Sequence, residues 1–154
     1  MKKIIVMLLA LVALCGCQKE EFEGFDMPFV KVTTTTGASQ TVVLSNVNNI
    51  NTYVVSVSSK MLTTALVVNY EIVVGDGLQE GVDYELVTTG NQLTFEPGIY
   101  DMPIRIKWLA HPVDETKDNT LTIRLTGNSQ NLHLGVPGPD GLQKQLVIKK
   151  KELI

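Results

Sequence analysis

From about Pro28 onward, apolar and polar residues alternate along this chain at a period of two, and no stretch there holds apolar residues at helical spacing for ten or more positions. A period of two sends successive side chains to opposite faces of a strand, so the chain is confined to β-structure with one face in a core. The clearest case runs from Met102 to Leu109. Met102, Ile104, Ile106 and Trp108 fall on one face, and Pro103, Arg105 and Lys107 on the other. Leu121-Thr122-Ile123-Arg124-Leu125 repeats the arrangement. Tyr53, Val55 and Val57 form another inward set, as do Val68, Tyr70, Ile72 and Val74, with a shorter one at Leu93 and Phe95. Val42 to Leu44 and Gln145 to Ile148 supply further strands.

Turn residues separate these runs: Gly75-Asp76-Gly77, Gly81, Gly90-Asn91, Pro97-Gly98, Gly127-Asn128 and Pro137-Gly138-Pro139-Asp140-Gly141. Each is read as a place where positive φ or a fixed proline φ turns the chain. About seven strands at this spacing predict a single all-β domain over 28–154, a two-sheet antiparallel sandwich of immunoglobulin-like type. The Thr33–Thr36 run reads as a strand end or loop, being short and without flanking proline. Both cysteines, Cys15 and Cys17, lie ahead of the domain, so no internal disulfide is available and a hydrophobic core must hold it together. At 44% hydrophobic residues the composition supports such a core.

The N-terminus has a different character. Lys2 and Lys3 precede an unbroken apolar run of 11 residues, Ile4 to Leu14. As a helix the run would reach about 16 Å, against roughly 30 Å for a bilayer core, which suits an export signal better than a permanent span. Leu14-Cys15-Gly16-Cys17 resembles the lipobox of bacterial lipoproteins. The resemblance implies cleavage after Gly16 and lipidation of Cys17, leaving a signal peptide at 1–16 and a lipidated cysteine with an acidic tether at 17–27. Each buried methylene contributes about 0.8 kcal/mol, so two or three palmitate-like chains on one residue anchor stably. Gln18-Lys19-Glu20-Glu21 is similar to the short acidic signals that send lipoproteins of the Bacteroidetes to the outer face of the outer membrane.

The second half carries an ordered series: Tyr70-Glu71, Gly81-Val82-Asp83-Tyr84, Leu93-Thr94-Phe95-Glu96-Pro97-Gly98, Met102-Pro103-Ile104-Arg105-Ile106, and Asp114-Glu115 ahead of Leu121-Thr122-Ile123-Arg124-Leu125. This series resembles the Calx-beta domain family. Its pieces also have local reasons. Pro97-Gly98 suits a tight turn, and Asp83 can accept backbone N–H groups while Tyr84 packs inward. Some members bind calcium through acidic loops, which implies Asp114, Glu115 and Asp118 as ligands here, with Asp76, Glu80 and Asp83 nearby. Calcium needs six to eight oxygens with several carboxylates converging. This chain has Ala110-His111-Pro112-Val113 where calcium-binding members carry adjacent aspartates, so solvated loop acids and no bound cofactor are expected.

No catalytic constellation emerges, and an enzyme is not expected. His111 and His133 stand 22 residues apart beside different turns, outside any short metal-binding spacing, and read as exposed loop or strand-end histidines. Asp114 and Glu115 are adjacent, which does not place carboxyls on opposite sides of a sugar ring. Acylation of Cys17 would remove the only mature thiol. Trp108 reads as core by alternation, Tyr100 as the better exposed aromatic, and Lys149-Lys150-Lys151 as a solvated strand end that blocks edge pairing. The formal charge is −3, and −5 for residues 17–154 because Lys2 and Lys3 precede the cut, which disfavours nucleic acid.

The expected role is therefore a membrane-held surface module, an adhesion or accessory component of an outer-membrane glycan-uptake system that contacts a glycan or an outer-membrane protein. The sequence reaches its expected last strand just before Ile154, so no second sugar-binding module is expected after it. The alternative is a purely structural, self-assembling surface lipoprotein.

Overall fold

The computed structural model describes residues 27–153. Expectations for the signal peptide, Gly16, Cys17 and nearly all of the tether lie outside the described residues. Ten strands follow in order: β1 (Phe29–Thr34), β2 (Gln40–Leu44), β3 (Asn49–Ser58), β4 (Leu66–Val74), β5 (Tyr84–Leu86), β6 (Gln92–Phe95), β7 (Asp101–Trp108), β8 (Thr120–Asn128), β9 (His133–Leu134) and β10 (Gln145–Lys151). They form two five-stranded sheets, β5-β7-β3-β1-β9 and β2-β10-β8-β4-β6, packed as the expected sandwich. All pairings are antiparallel except β1 with β9 and β2 with β10. Those two arise because the first extended stretch divides between the sheets. A turn at Gly37, where φ is +87°, takes the chain from β1 in one sheet to β2 at the edge of the other.

The alternating residues meet between the sheets. Val30, Val32, Val55, Ile106 and Trp108 from one sheet, and Leu66, Val68, Phe95, Ile123 and Ile148 from the other, are fully buried. Each such side chain contributes about 1.5–3 kcal/mol by leaving water, so this layer is the main support of the fold. Ile72 and Val74, read as inward, are only partly buried, because β4 runs out past the core toward the loops.

Two turn readings need correction. Gly127-Asn128 lies inside β8, where the register with β4 shifts at Asn69/Tyr70, so that glycine sits beside a bulge rather than at a turn. Gly75 and Gly77 do not have positive φ. They are glycines because residues 118 and 119 pack against them. A Cβ at Gly75 would lie 2.2 Å from the Asp118 carbonyl oxygen, and one at Gly77 2.0 Å from Asn119 Oδ1. Pro97-Gly98 behaves as expected, with Gly98 at φ +91° and the Ile99 N–H bonded to the Glu96 carbonyl at 2.9 Å.

Candidate functional site

Strand β10 sets the site. Its inward positions are Leu146, Ile148 and Lys150, so the alternation that buries two aliphatic residues also drives a lysine inward. Lys150 is 0% exposed. The solvated lysine end expected over Lys149-Lys150-Lys151 is thus corrected at its central residue. A buried ammonium needs acceptors and a counter-charge. Lys150 Nζ donates to Asp83 Oδ1 at 2.9 Å and to the Leu109 carbonyl at 2.9 Å, with the Asp83 carbonyl at 3.5 Å.

These acceptors come from the opposite sheet. Asp83 directly precedes β5 and Leu109 directly follows β7, and the two are joined by a hydrogen bond from the Leu109 N–H to the Asp83 carbonyl at 3.0 Å. Beneath them Tyr84 and Trp108, register partners of β5 and β7, place their rings 6.3 Å apart at 52°. The Lys150 and Asp83 side chains are 0% and 4% exposed, so little water reaches the ion pair and the cost of leaving either charge alone is raised.

Asp83 is 3% exposed and fully engaged. Its Oδ2 accepts the Gln79 N–H at 2.9 Å, closing the turn that contains Gly81, while Oδ1 meets His111 Nδ1 at 3.0 Å as well as Lys150. Burial alone would push this carboxyl up. The Lys150 ammonium, the Gln79 N–H and His111 outweigh burial and hold it below the ordinary aspartate range. His111, expected as an exposed loop histidine, is tied to this buried carboxylate, although 49% of its side chain remains exposed. His133 stands elsewhere, with Nδ1 on the Gly135 carbonyl at 3.0 Å.

A second layer surrounds the pair. Glu152 accepts the Val113 N–H and, at 2.9 Å, the Ser45 hydroxyl, and these two donors hold its carboxyl below the usual range. The His111 N–H bonds to the Ser45 carbonyl at 2.9 Å. The loop after β7, the end of β2 and the residues after β10 are thereby fastened together.

The calcium ligands that the family resemblance implies do not converge. Asp114 Oδ1 accepts the Thr116 N–H at 3.0 Å and hydroxyl at 2.6 Å. Asp118 Oδ1 accepts the same two groups of Thr120 at 3.1 and 2.7 Å. Glu115 accepts the Glu152 N–H at 2.9 Å, and Asp76 the Asp118 N–H at 3.0 Å. Glu80 is exposed beside its turn. Asp76, Asp114, Glu115 and Asp118 thus each accept a backbone N–H, at Asp118, Thr116, Glu152 and Thr120 in turn. The buried, unpartnered Asn119 Oδ1 lies against Gly77 rather than among carboxylates. Among the described residues no three His, Cys, Asp or Glu side chains are placed to hold a metal ion. The donor set does not fit calcium.

Tyr100, read as the exposed aromatic, is half-buried, and its hydroxyl accepts the Leu62 N–H at 3.2 Å. Trp108 is core, as alternation required. The one cluster missed from sequence, Lys150 with Asp83 and His111, had a visible signal. Lys150 shares the parity of Leu146 and Ile148.

Comparison with known proteins follows the same lines. A family model described as the Calx-beta domain matches residues 23–151. Among solved structures, that of CBD12 from CALX1.2 matches with a TM-score of 0.56 at 21% identity, covering 79% of this chain and 43% of that one. The chain thus spans less than half the length of that protein, and the likeness is one of fold. No curated protein matches the sequence.

Proposed function

Since the chain belongs to the Calx-beta domain family, we propose that it is a non-enzymatic, lipid-anchored binding module at the outer membrane, facing the cell exterior. The family resemblance implies a non-catalytic binding domain, of a kind in which some members bind calcium. The observation that carries the lipid anchor is Leu14-Cys15-Gly16-Cys17 closing an 11-residue apolar run. On this reading residues 1–16 are removed, Cys17 carries the acyl chains, 17–27 form the tether and 28–154 the sandwich. The partner is a glycan or an outer-membrane protein of a glycan-uptake system, met by loop tips at one end of the sandwich. The Bacteroidetes type rests on the acidic Gln18-Lys19-Glu20-Glu21 segment.

Mass spectrometry of the N-terminal peptide from native-host protein tests the anchor. An acylated Cys17 is expected, and an unmodified thiol would overturn it. A glycan array with a membrane-protein pull-down tests the binding role, and a reproducible ligand is expected. The second reading, a self-assembling structural subunit, is favoured by the exposed Val42 (52%) and Leu44 (38%) on edge strand β2. Ligand-free higher oligomers in solution would select it.

A further inference from the structure

We propose that Lys150 is a built-in cation that fixes the loop end of this sandwich, so that the domain holds the shape of that end without calcium. The inference rests on the geometry at Lys150 and not on the lipid anchor, so either can fail alone. Three features carry it. The first is charge balance. One carboxylate, Asp83, is buried against one ammonium, whereas a divalent ion calls for several converging carboxylates. The second is donor number. An ammonium offers three hydrogens, and Lys150 Nζ faces three oxygens, two at 2.9 Å and one at 3.5 Å. These oxygens belong to the segments before β5 and after β7, the places where loops meet this end of the sandwich.

The third feature is the state of the remaining acids. Asp76, Asp114, Glu115, Asp118 and Glu152 each accept hydrogen bonds from backbone or hydroxyl donors. Among the described residues no three of these carboxylates are placed to hold a metal ion, so a cation recruiting them would have to move the loops that carry them. Lys150 reaches across from β10 to the opposite sheet and does the joining from within the chain. The loop end is therefore set once, at folding, and stays set as calcium rises and falls.

The test is thermal unfolding of the full chain in detergent, in millimolar calcium chloride and in EDTA. The midpoints should agree, and a rise of about 5 °C or more in calcium would overturn the inference. Lys150→Met, which keeps the length of the side chain and removes its charge, should lower the midpoint by more than about 5 °C in both media. A smaller fall would mean that the ammonium is not the fastening charge. If that variant does not fold, Asp83→Asn with Lys150→Met decides the matter. Removing both charges should restore folding with the same indifference to calcium, and a double variant that also fails to fold overturns the proposal.

Discussion

Among the described residues, two contacts between buried side chains differ in kind. Inside one sheet Trp108 Nε1, at the end of β7, donates to the Tyr53 hydroxyl of β3 at 3.1 Å, a neutral pair carried by two neighbouring strands. At the loop end Lys150 and Asp83 form a charged pair that joins one sheet to the other. Burial pushes the Tyr53 hydroxyl up, against the effect of its bonds to Asn51 and Trp108, so that contact stays neutral at any ordinary pH. It satisfies two groups that packing has already buried. The charged pair instead decides where loops sit, since its acceptors include the backbone oxygen of Leu109 and the carboxylate that closes the 79–83 turn. The neutral contact is a local consequence of packing, whereas the charged one organises an end of the domain.

Substitutions can break or sharpen that contrast. The largest effect belongs to Lys150→Met, which leaves the buried Asp83 carboxylate without its ammonium, held only by the Gln79 N–H and His111, and should cost about 3–5 kcal/mol in chemical denaturation. Acid provides a milder route to the same loss. The folded-state pKa of Asp83 lies below its unfolded value, so its contribution is present in full above the ordinary aspartate range. It is lost as pH falls from that range through the lower folded value. Midpoints followed down the acid limb should therefore fall more steeply for the native chain than for Asp83→Asn.

Tyr53→Phe, by contrast, removes only a neutral acceptor and leaves Trp108 Nε1 unpaired, for about 1–2 kcal/mol in the same assay. The smallest effect is expected at the exposed Lys107–Glu85 pair of β7 and β5, 2.9 Å apart with both side chains more than 40% exposed. There Glu85→Ala should change stability by less than about 1 kcal/mol, and the change should vanish in high salt.

Much of the fold could be read from alternation, and the reasons are physical. Met102 to Trp108 buries one face and Leu121, Ile123 and Leu125 are fully buried on theirs; the pleat leaves only one register that does so. The pairing of β2 with β10 was not legible, because parallel partners at opposite ends of a chain leave no mark on either strand alone. Gly75 and Gly77 were identified as turn residues but given the wrong cause, since contact with residues 118 and 119 is a tertiary fact. The burial of Lys150 is hidden for another reason. A run of three lysines looks solvated by composition, and parity with Ile148 had to be weighed above charge to see it as buried. Asp83 was recognised as an acceptor of backbone N–H groups, and its second partner came only with the three-dimensional arrangement.

A double-mutant cycle between Asp83→Asn and Lys150→Met measures the coupling on which this view of the loop end depends. The two changes together should cost less than the sum of the separate losses by at least about 2 kcal/mol. Losses that add to within about 0.5 kcal/mol would mean that the two residues act independently, and would contradict it.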